Sequence, residues 1–273
     1  MSQKLLGKRN FIGTKVSQAT ISLRTGNAYA VYMALALALG GCGISQSLAP
    51  PKQITPLNRL SEAPALPKKT TTGRNFAYWC QNQANLSVDA RLTVELLLGK
   101  AGTNDCNQAE SVLSTVTNLT LYNKKISDLS PLTSLTNLTN LSLISNKISD
   151  LSPLKSLTNL EILDLFDNQI KDISPLESLT NLRILNLYGN QIKDISPLKS
   201  LTKLTLLNLG GNQIQDASPL KSLTDLKTLD LSSNQIKDVS PLKSLTKLTT
   251  LKLQADLLTN ETCPVNPYTI CQF

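Results

Sequence analysis

The chain has 273 residues, a formal net charge of +8 and no histidine. The lack of histidine excludes Ser-His-Asp and Cys-His catalytic arrangements, so we expect a protein that is not an enzyme. Five of the cations and none of the acids lie in residues 1–41, and removing that segment lowers the charge to +3. A nucleic-acid partner is therefore not expected.

Residues 1–41 are predicted to be a lipoprotein signal peptide. Ala28–Leu39 is an unbroken apolar run of 12 residues, shorter than the roughly 20 residues that a membrane-spanning helix needs, and it is typical of a secretory signal. The next residues complete the sequence LGGC, which resembles a bacterial lipobox and makes Cys42 the predicted lipidation site. We therefore expect export and a lipid anchor in a membrane of the cell envelope. The alternative is an ordinary signal peptide in which Cys42 has no role.

Residues 42–74 are predicted to be a disordered linker, because five prolines lie among Ser, Thr and Lys without apolar periodicity. Residues 75–118 are predicted to be a helical N-terminal cap. Ser87 can cap a first helix over 88–99, which Gly99 and Gly102 would end, and a second helix is expected over 106–114. Trp79 is expected in the core of this cap. The apolar stripe of the first helix is predicted to be Val88, Leu92, Leu96 and Gly99, with Leu97 and Leu98 widening it.

A repeat of 22 residues fills positions 119–258 without an insertion. The sequence NQIKDISPL occurs at Asn168 and again at Asn190. In each unit, L-x-L alternates with period two and predicts a short strand whose two leucines face one side. The Asn that follows is expected to bond the backbone of the turn, and Asp-x-Ser-Pro-Leu to start a short helical turn with Pro in the first position. Such units bury their leucines only by stacking, and seven strands stack into a parallel sheet.

These motifs resemble the leucine-rich repeat family, most closely the bacterial internalins with their 22-residue unit. The resemblance implies an α/β solenoid with a curved parallel β-sheet on the concave side, short helical turns on the convex side and a small helical N-terminal cap. The first and last units depart from the pattern, since Lys124 and Asp256 stand where Asn is expected.

The residues that flank and separate the two leucines are predicted to point out of the concave face. The three aromatic residues of the repeats lie in one such column, and aliphatic residues lie in another. Exposed apolar patches of several hundred Å² mark interaction sites, and aromatic side chains are typical of their centres. An alternative is that strands favour such residues for sheet stability. The predicted partner-binding residues are Tyr122, Ile144, Ile162, Asp164, Phe166, Ile184, Asn186, Tyr188 and Leu206.

Four cysteines remain if Cys42 is lipidated, two before the first strand and two after the last. The two ends of the solenoid should lie roughly 30 Å apart, whereas disulfide Cα atoms lie within about 7 Å. We therefore predict Cys80–Cys106 and Cys263–Cys271, the second in a C-terminal cap over 259–273. A metal site is the weaker alternative, and no metal or cofactor is predicted.

The sequence as a whole predicts a monomeric, membrane-anchored binding module that faces the periplasm or the exterior. Its partner is expected to be another protein or a cell-surface macromolecule. Two alternatives stay open: a regulatory subunit of an enzyme such as a phosphatase, or a passive structural protein of the envelope. A row of aspartates at the start of the S-P-L turns could bind cations, but helix capping explains it better.

Overall fold

A computed structural model describes residues 74–254 and 262–273. The predicted signal peptide, Cys42 and residues 42–73 of the predicted linker lie outside the described residues. Within the described ranges, no helix is both long and apolar enough to cross a membrane.

Eight parallel strands form one sheet, in which each strand pairs with the next along the chain. The register joins each leucine to the leucine one unit later, as in Leu119 with Leu141. The last strand comes from the C-terminal cap, pairs through Leu251 and Cys271, and was not predicted. The strands are β1 Asn118–Thr120, β2 Asn140–Ser142, β3 Ile162–Asp164, β4 Ile184–Asn186, β5 Leu206–Asn208, β6 Thr228–Asp230, β7 Thr250–Lys252 and β8 Cys271–Gln272.

The leucines of each unit meet in one continuous core. Leu163 and Leu165 of the third unit are completely buried, as are Leu176 and Leu179 of its helical turn. The S-P-L segments form 3-10 helices with Pro in the first turn, as predicted. These helices span Ser130–Leu132, Ser152–Ser156, Ser174–Ser178, Ser196–Ser200, Ser218–Ser222 and Ser240–Ser244. Burial from both the strand side and the helical side fixes the orientation of each unit against its neighbours.

A buried asparagine fixes the turn after each strand. The Oδ1 atom of Asn168 accepts from the backbone N–H of Ile148 at 3.1 Å, in the preceding unit. Its Nδ2 donates to the carbonyl oxygens of Leu143 and Leu165, both at 3.1 Å. The predicted asparagine ladder is therefore confirmed, and each rung ties two units together. Its members are Asn146, Asn168, Asn190, Asn212 and Asn234, all 6–8% exposed.

Three helices form the N-terminal cap: α1 Phe76–Gln81, α2 Val88–Ala101 and α3 Cys106–Leu113. Ser87 caps α2 as predicted, with its Oγ accepting from Ala90 N at 3.1 Å. Gly99 does not end the helix, because the left-handed residue that closes it is Gly102, with φ of 70°. Trp79 is buried in the core of the cap.

The predicted apolar stripe of α2 was only partly right. Leu97 and Leu98 are buried as predicted, but Val88 is 79% exposed, and the rest of the buried face consists of other residues. That face turns inward because α2 packs against α3 and against the first repeat, where the hydroxyl of Thr93 donates to the Asp128 carbonyl at 2.7 Å. The buried residues of α2 are Ala90, Thr93, Val94, Leu97 and Leu98.

Both predicted disulfides are present. Cys80–Cys106 joins α1 to α3 with a Cα–Cα distance of 5.5 Å. Cys263–Cys271 closes the C-terminal cap with a Cα–Cα distance of 5.7 Å and holds β8 beside β7. Each disulfide therefore lies in a cap at one end of the repeats, where the leucines of a solenoid would otherwise be exposed.

Candidate functional site

The predicted partner-binding residues lie on the concave face of the sheet, which is the face that points away from the leucine core, in units one to five. Tyr122 is the most open of them, at 56% exposed. Asp164 was predicted to point out of the face, but it is buried, at only 2% exposed. The remaining predicted residues are half-buried: Ile144, Ile162, Phe166, Ile184, Asn186, Tyr188 and Leu206.

Two sets of apolar side chains line this face. Ile162, Ile184 and Leu206 occupy aligned positions of β3, β4 and β5, and we call them the aliphatic stripe. Phe166 and Tyr188 form the aromatic pair, whose rings stack with centroids 5.4 Å apart and an angle of 10° between their planes. That separation exceeds the roughly 3.5–4.0 Å contact distance of carbon atoms, so the two rings are offset, as is common for aromatic pairs.

Gly210 follows the aromatic pair in the same column, one unit after Tyr188. A Cβ atom at this position would lie 2.8 Å from Cδ2 and 2.9 Å from Cε2 of the Tyr188 ring. Such a distance is well inside van der Waals contact, so the ring can take this place only above a glycine. This role of Gly210 was not predicted from the sequence. The signal was available, because Gly210 interrupts a column that otherwise carries larger side chains.

Polar side chains run between the aliphatic stripe and the aromatic pair. The first, Asp164, accepts from the backbone N–H of Phe166 at 3.1 Å, and Asn186 accepts from that of Tyr188 at 3.2 Å. These side chains fold back onto the chain and hold the backbone from which the aromatic rings project. We call this set the polar row: Asp164, Asn186, Asn208 and Asp230.

A family model described as "Leucine Rich repeats (2 copies)" matches residues 158–200, 180–222, 202–244 and 224–262. Internalin C2 of Listeria monocytogenes has a similar solved structure, with a TM-score of 0.53 and 29% sequence identity. That match covers 65% of this chain and 90% of the internalin chain.

The chain has the fold of an internalin-like leucine-rich repeat protein. The internalin inlF of the same organism is 40% identical over 50% of this chain, with a TM-score of 0.47. This chain covers 47% of that one. Comparison with curated proteins found no match. The leucine-rich repeat fold supports a protein-interaction module, whose side chains on the open sheet face are those described above.

The two carboxylates of the polar row have different surroundings. Burial raises the pKa of Asp164 to about 6, against hydrogen bonds from the Phe166 backbone and the Asn186 side chain that lower it. Asp230 instead has a cation one unit later, since Nζ of Lys252 lies 3.6 Å from its Oδ2. The residue aligned with Asp164 one unit later is Asn186, which is neutral. In the part of the chain that the structure describes, no Lys or Arg lies within ion-pair distance of Asp164.

The row of aspartates on the opposite side of the domain caps the 3-10 helices, as predicted. In the third unit, Asp172 Oδ1 accepts from Ser174 N at 2.8 Å, and its Oδ2 accepts from the Ser174 hydroxyl at 3.0 Å. These bonds lower the pKa of Asp172, as the equivalent bonds lower those of Asp216 and Asp238. No cluster of potential metal ligands occurs among residues 74–254 and 262–273.

A cavity of about 290 Å³ lies where α2 meets the first two units. Asp89, Asp128 and Asp150 are part of its wall. Two of these carboxylates already cap 3-10 helices, since Asp128 and Asp150 each accept from a serine N–H at 2.8 Å. The cavity is therefore a by-product of the junction between the cap and the repeats, and the open sheet face remains the candidate site.

Proposed function

We propose that the protein is an exported, lipid-anchored binding module that holds a macromolecular partner on the concave face of its leucine-rich repeats. The partner is another protein or a cell-surface macromolecule, and the chain acts as a monomer without catalysis. In this proposal residues 1–41 are the signal peptide, Cys42 carries the lipid, and residues 42–74 are the tether. Residues 75–118 and 259–273 cap the repeats at 119–258.

The observation that carries the proposal is the ordered aromatic pair. Stacking of Phe166 on Tyr188, and of Tyr188 on Gly210, holds two large side chains in defined positions on the open face. These two side chains therefore lose little further conformational entropy when a partner contacts them. Aromatic anchors of this kind, beside the aliphatic stripe, are typical of interface centres. Strand propensity alone does not explain Gly210, which is a poor strand residue.

Affinity capture with the full chain tests the proposal. Phe166→Ala and Tyr188→Ala are expected to abolish capture of the partner that the unchanged chain retains, while lowering the melting temperature by only a few degrees. Phe273→Ala is the matched control, because Phe273 is an exposed aromatic residue outside the concave face. Normal capture by both variants of the aromatic pair would show that the binding face is elsewhere.

The anchor is tested separately. Metabolic labelling with a radioactive fatty acid is expected to mark the unchanged chain and not Cys42→Ser. Label on the Cys42→Ser variant, or no label on either chain, would contradict lipidation at this cysteine without touching the proposed binding face.

A further inference from the structure

Asp164 is a buried carboxylate whose charge the described residues do not balance. It is 2% exposed, and its hydrogen bonds come from a backbone N–H and a neutral amide. An ionised group in such surroundings is costly unless a cation approaches it. Within the same polar row, Asp230 shows how this domain satisfies that need, through the Lys252 ammonium 3.6 Å away.

The residues around Asp164 add negative charge rather than positive charge. Asp167 is exposed at the edge of the face, directly after Phe166. Arg183, the residue directly before β4, is already paired, since its Nε lies 3.8 Å from Glu161 Oε2. Ser142 is aligned with Asp164 in the sheet, and its buried hydroxyl has no hydrogen-bond partner among the described residues. The polar row is therefore short of both positive charge and hydrogen bonds at this end.

The aromatic pair stands next to this carboxylate. The backbone N–H of Phe166 bonds Asp164, and the Asn186 side chain that also bonds Asp164 holds the backbone N–H of Tyr188. Aromatic rings attract cations through their negative faces. An arginine side chain suits such a place better than lysine, because its guanidinium is planar, stacks on rings and is weakly hydrated.

We propose that the concave face accepts an arginine side chain of a protein partner, whose guanidinium stacks against the Phe166–Tyr188 pair and balances the charge of Asp164. The inference rests on the binding function proposed above, and it specifies the partner as a protein with an exposed basic anchor. Asp164 attracts the guanidinium through its negative charge. The other end of the polar row does not share this preference for arginine, because Lys252 already balances the charge of Asp230.

Nuclear magnetic resonance of the full chain with ¹³C-labelled aromatic rings tests the inference. The chain has 4 Phe and 6 Tyr, few enough for each ring to be assigned by substitution. The probes are N-acetyl-arginine methylamide and N-acetyl-citrulline methylamide, which have nearly the same shape and differ in charge. We expect the arginine compound to shift the Phe166 and Tyr188 signals with about fivefold lower Kd than the citrulline compound.

Asp164→Asn decides the origin of the preference. The amide can keep the bond to Phe166 N, as Asn186 does for Tyr188 N, so the ring pair is retained and the preference for arginine is expected to vanish. Equal binding of the two probes to the unchanged chain, no shift of either ring, or an undiminished preference in Asp164→Asn would each overturn the inference. None of these results affects the proposed function, which fails only if Phe166→Ala and Tyr188→Ala still capture the partner.

Discussion

At the scale of single residues, the concave face depends on two positions whose roles come from their neighbours. Asp164 and Asp230 occupy the same column of the repeat, yet only Asp230 has a lysine one unit later. Gly210 carries no side chain, and for that reason it determines where the Tyr188 ring lies. The repeat fixes the position of each backbone atom, so a change in one unit acts mainly on the unit before or after it.

Asp164 should make the protein less stable as the pH rises from 4 to 6. Its pKa in the folded chain is raised to about 6, so the folded state binds more protons than the unfolded state in this window and loses stability as they leave. A shift of this size corresponds to about 3 kcal/mol. Urea denaturation at pH 4.5 and 7.5 should show Asp164→Asn gaining stability mainly at pH 7.5.

The capping aspartates act in the opposite direction and at lower pH. The pKa of Asp172 is lowered in the folded chain, so its contribution is present above the unfolded pKa and is lost as the pH falls through the folded pKa. The two effects therefore separate along the pH axis. A decline of stability between pH 4 and 6 that persists in Asp164→Asn would show that another group is responsible.

Gly210→Ala should disturb the aromatic pair. The new methyl group would lie 2.8 Å from the Tyr188 ring and 3.1 Å from Asp230 Oδ1, so the ring must move, at a cost of about 1–3 kcal/mol. Gly99→Ala is the control, because a Cβ there meets nothing within 4 Å and a helical alanine adds up to about 1 kcal/mol. Thermal unfolding should therefore change in opposite directions, and equal effects would refute the role assigned to Gly210.

At the scale of elements, each of the first six units consists of a strand of three residues, a turn and a 3-10 helix of three to five residues. Elements this short are not stable alone. The asparagine ladder replaces the hydrogen bonds that the turns cannot form internally, because each side chain reaches the backbone of the preceding unit. The asparagine ladder therefore links the turns of neighbouring units, as strand pairing links the strands of the sheet.

Asn168→Ala should cost about 1–3 kcal/mol, because it leaves the buried N–H of Ile148 without a partner. The Leu143 and Leu165 carbonyls each keep one bond, from Asn146 and Asn190. The exposed Asn159 provides the control, since its Nδ2 donates to Thr136 O at 2.9 Å near solvent. Asn159→Ala should cost less than about 1 kcal/mol. Chemical denaturation of both variants measures the difference, and similar losses would mean that burial of the ladder does not matter.

At the scale of the whole molecule, stability is distributed along a line of units that contact only their neighbours. The two disulfides lie at the two ends of this line, and β8 covers the last repeat strand. Removal of a cap should therefore act first on the adjacent units. A globular core would instead transmit the loss to every part of the chain.

Replacing Cys263 and Cys271 by serine should release β8 and weaken the last units. A closed loop of 8 residues corresponds to about 2.5 kcal/mol in the chain-entropy model. Hydrogen exchange should become faster for Leu253 N, whose partner is the Gln272 carbonyl at 2.8 Å, and stay slow for Leu143 N in the second unit. Uniformly faster exchange through all units would contradict the linear distribution of stability.

The sequence predicted the repeat almost completely. The leucines, the Asn and the Pro recur in fixed phase, and each has a local reason for its place: alternation in the strand, bonding in the turn and capping of the 3-10 helix. The predicted face of α2 was right for Leu97 and Leu98 and wrong for Val88, because packing against α3 and the first repeat, rather than the spacing of its own residues, selects the buried side. The eighth strand was missed because two residues carry no periodicity.

The same distinction applies to the concave face, where part of the arrangement follows from the sequence and part from the tertiary structure. The sequence by itself determined which columns leave the sheet, since side chains alternate along a strand. Only the tertiary structure decided how far each one is exposed, that Phe166 stacks on Tyr188 above Gly210, and that Asp164 is buried without a cation. These properties arise between residues 22 positions apart or more, where the distance between units, and not the local pattern, determines what each side chain contacts.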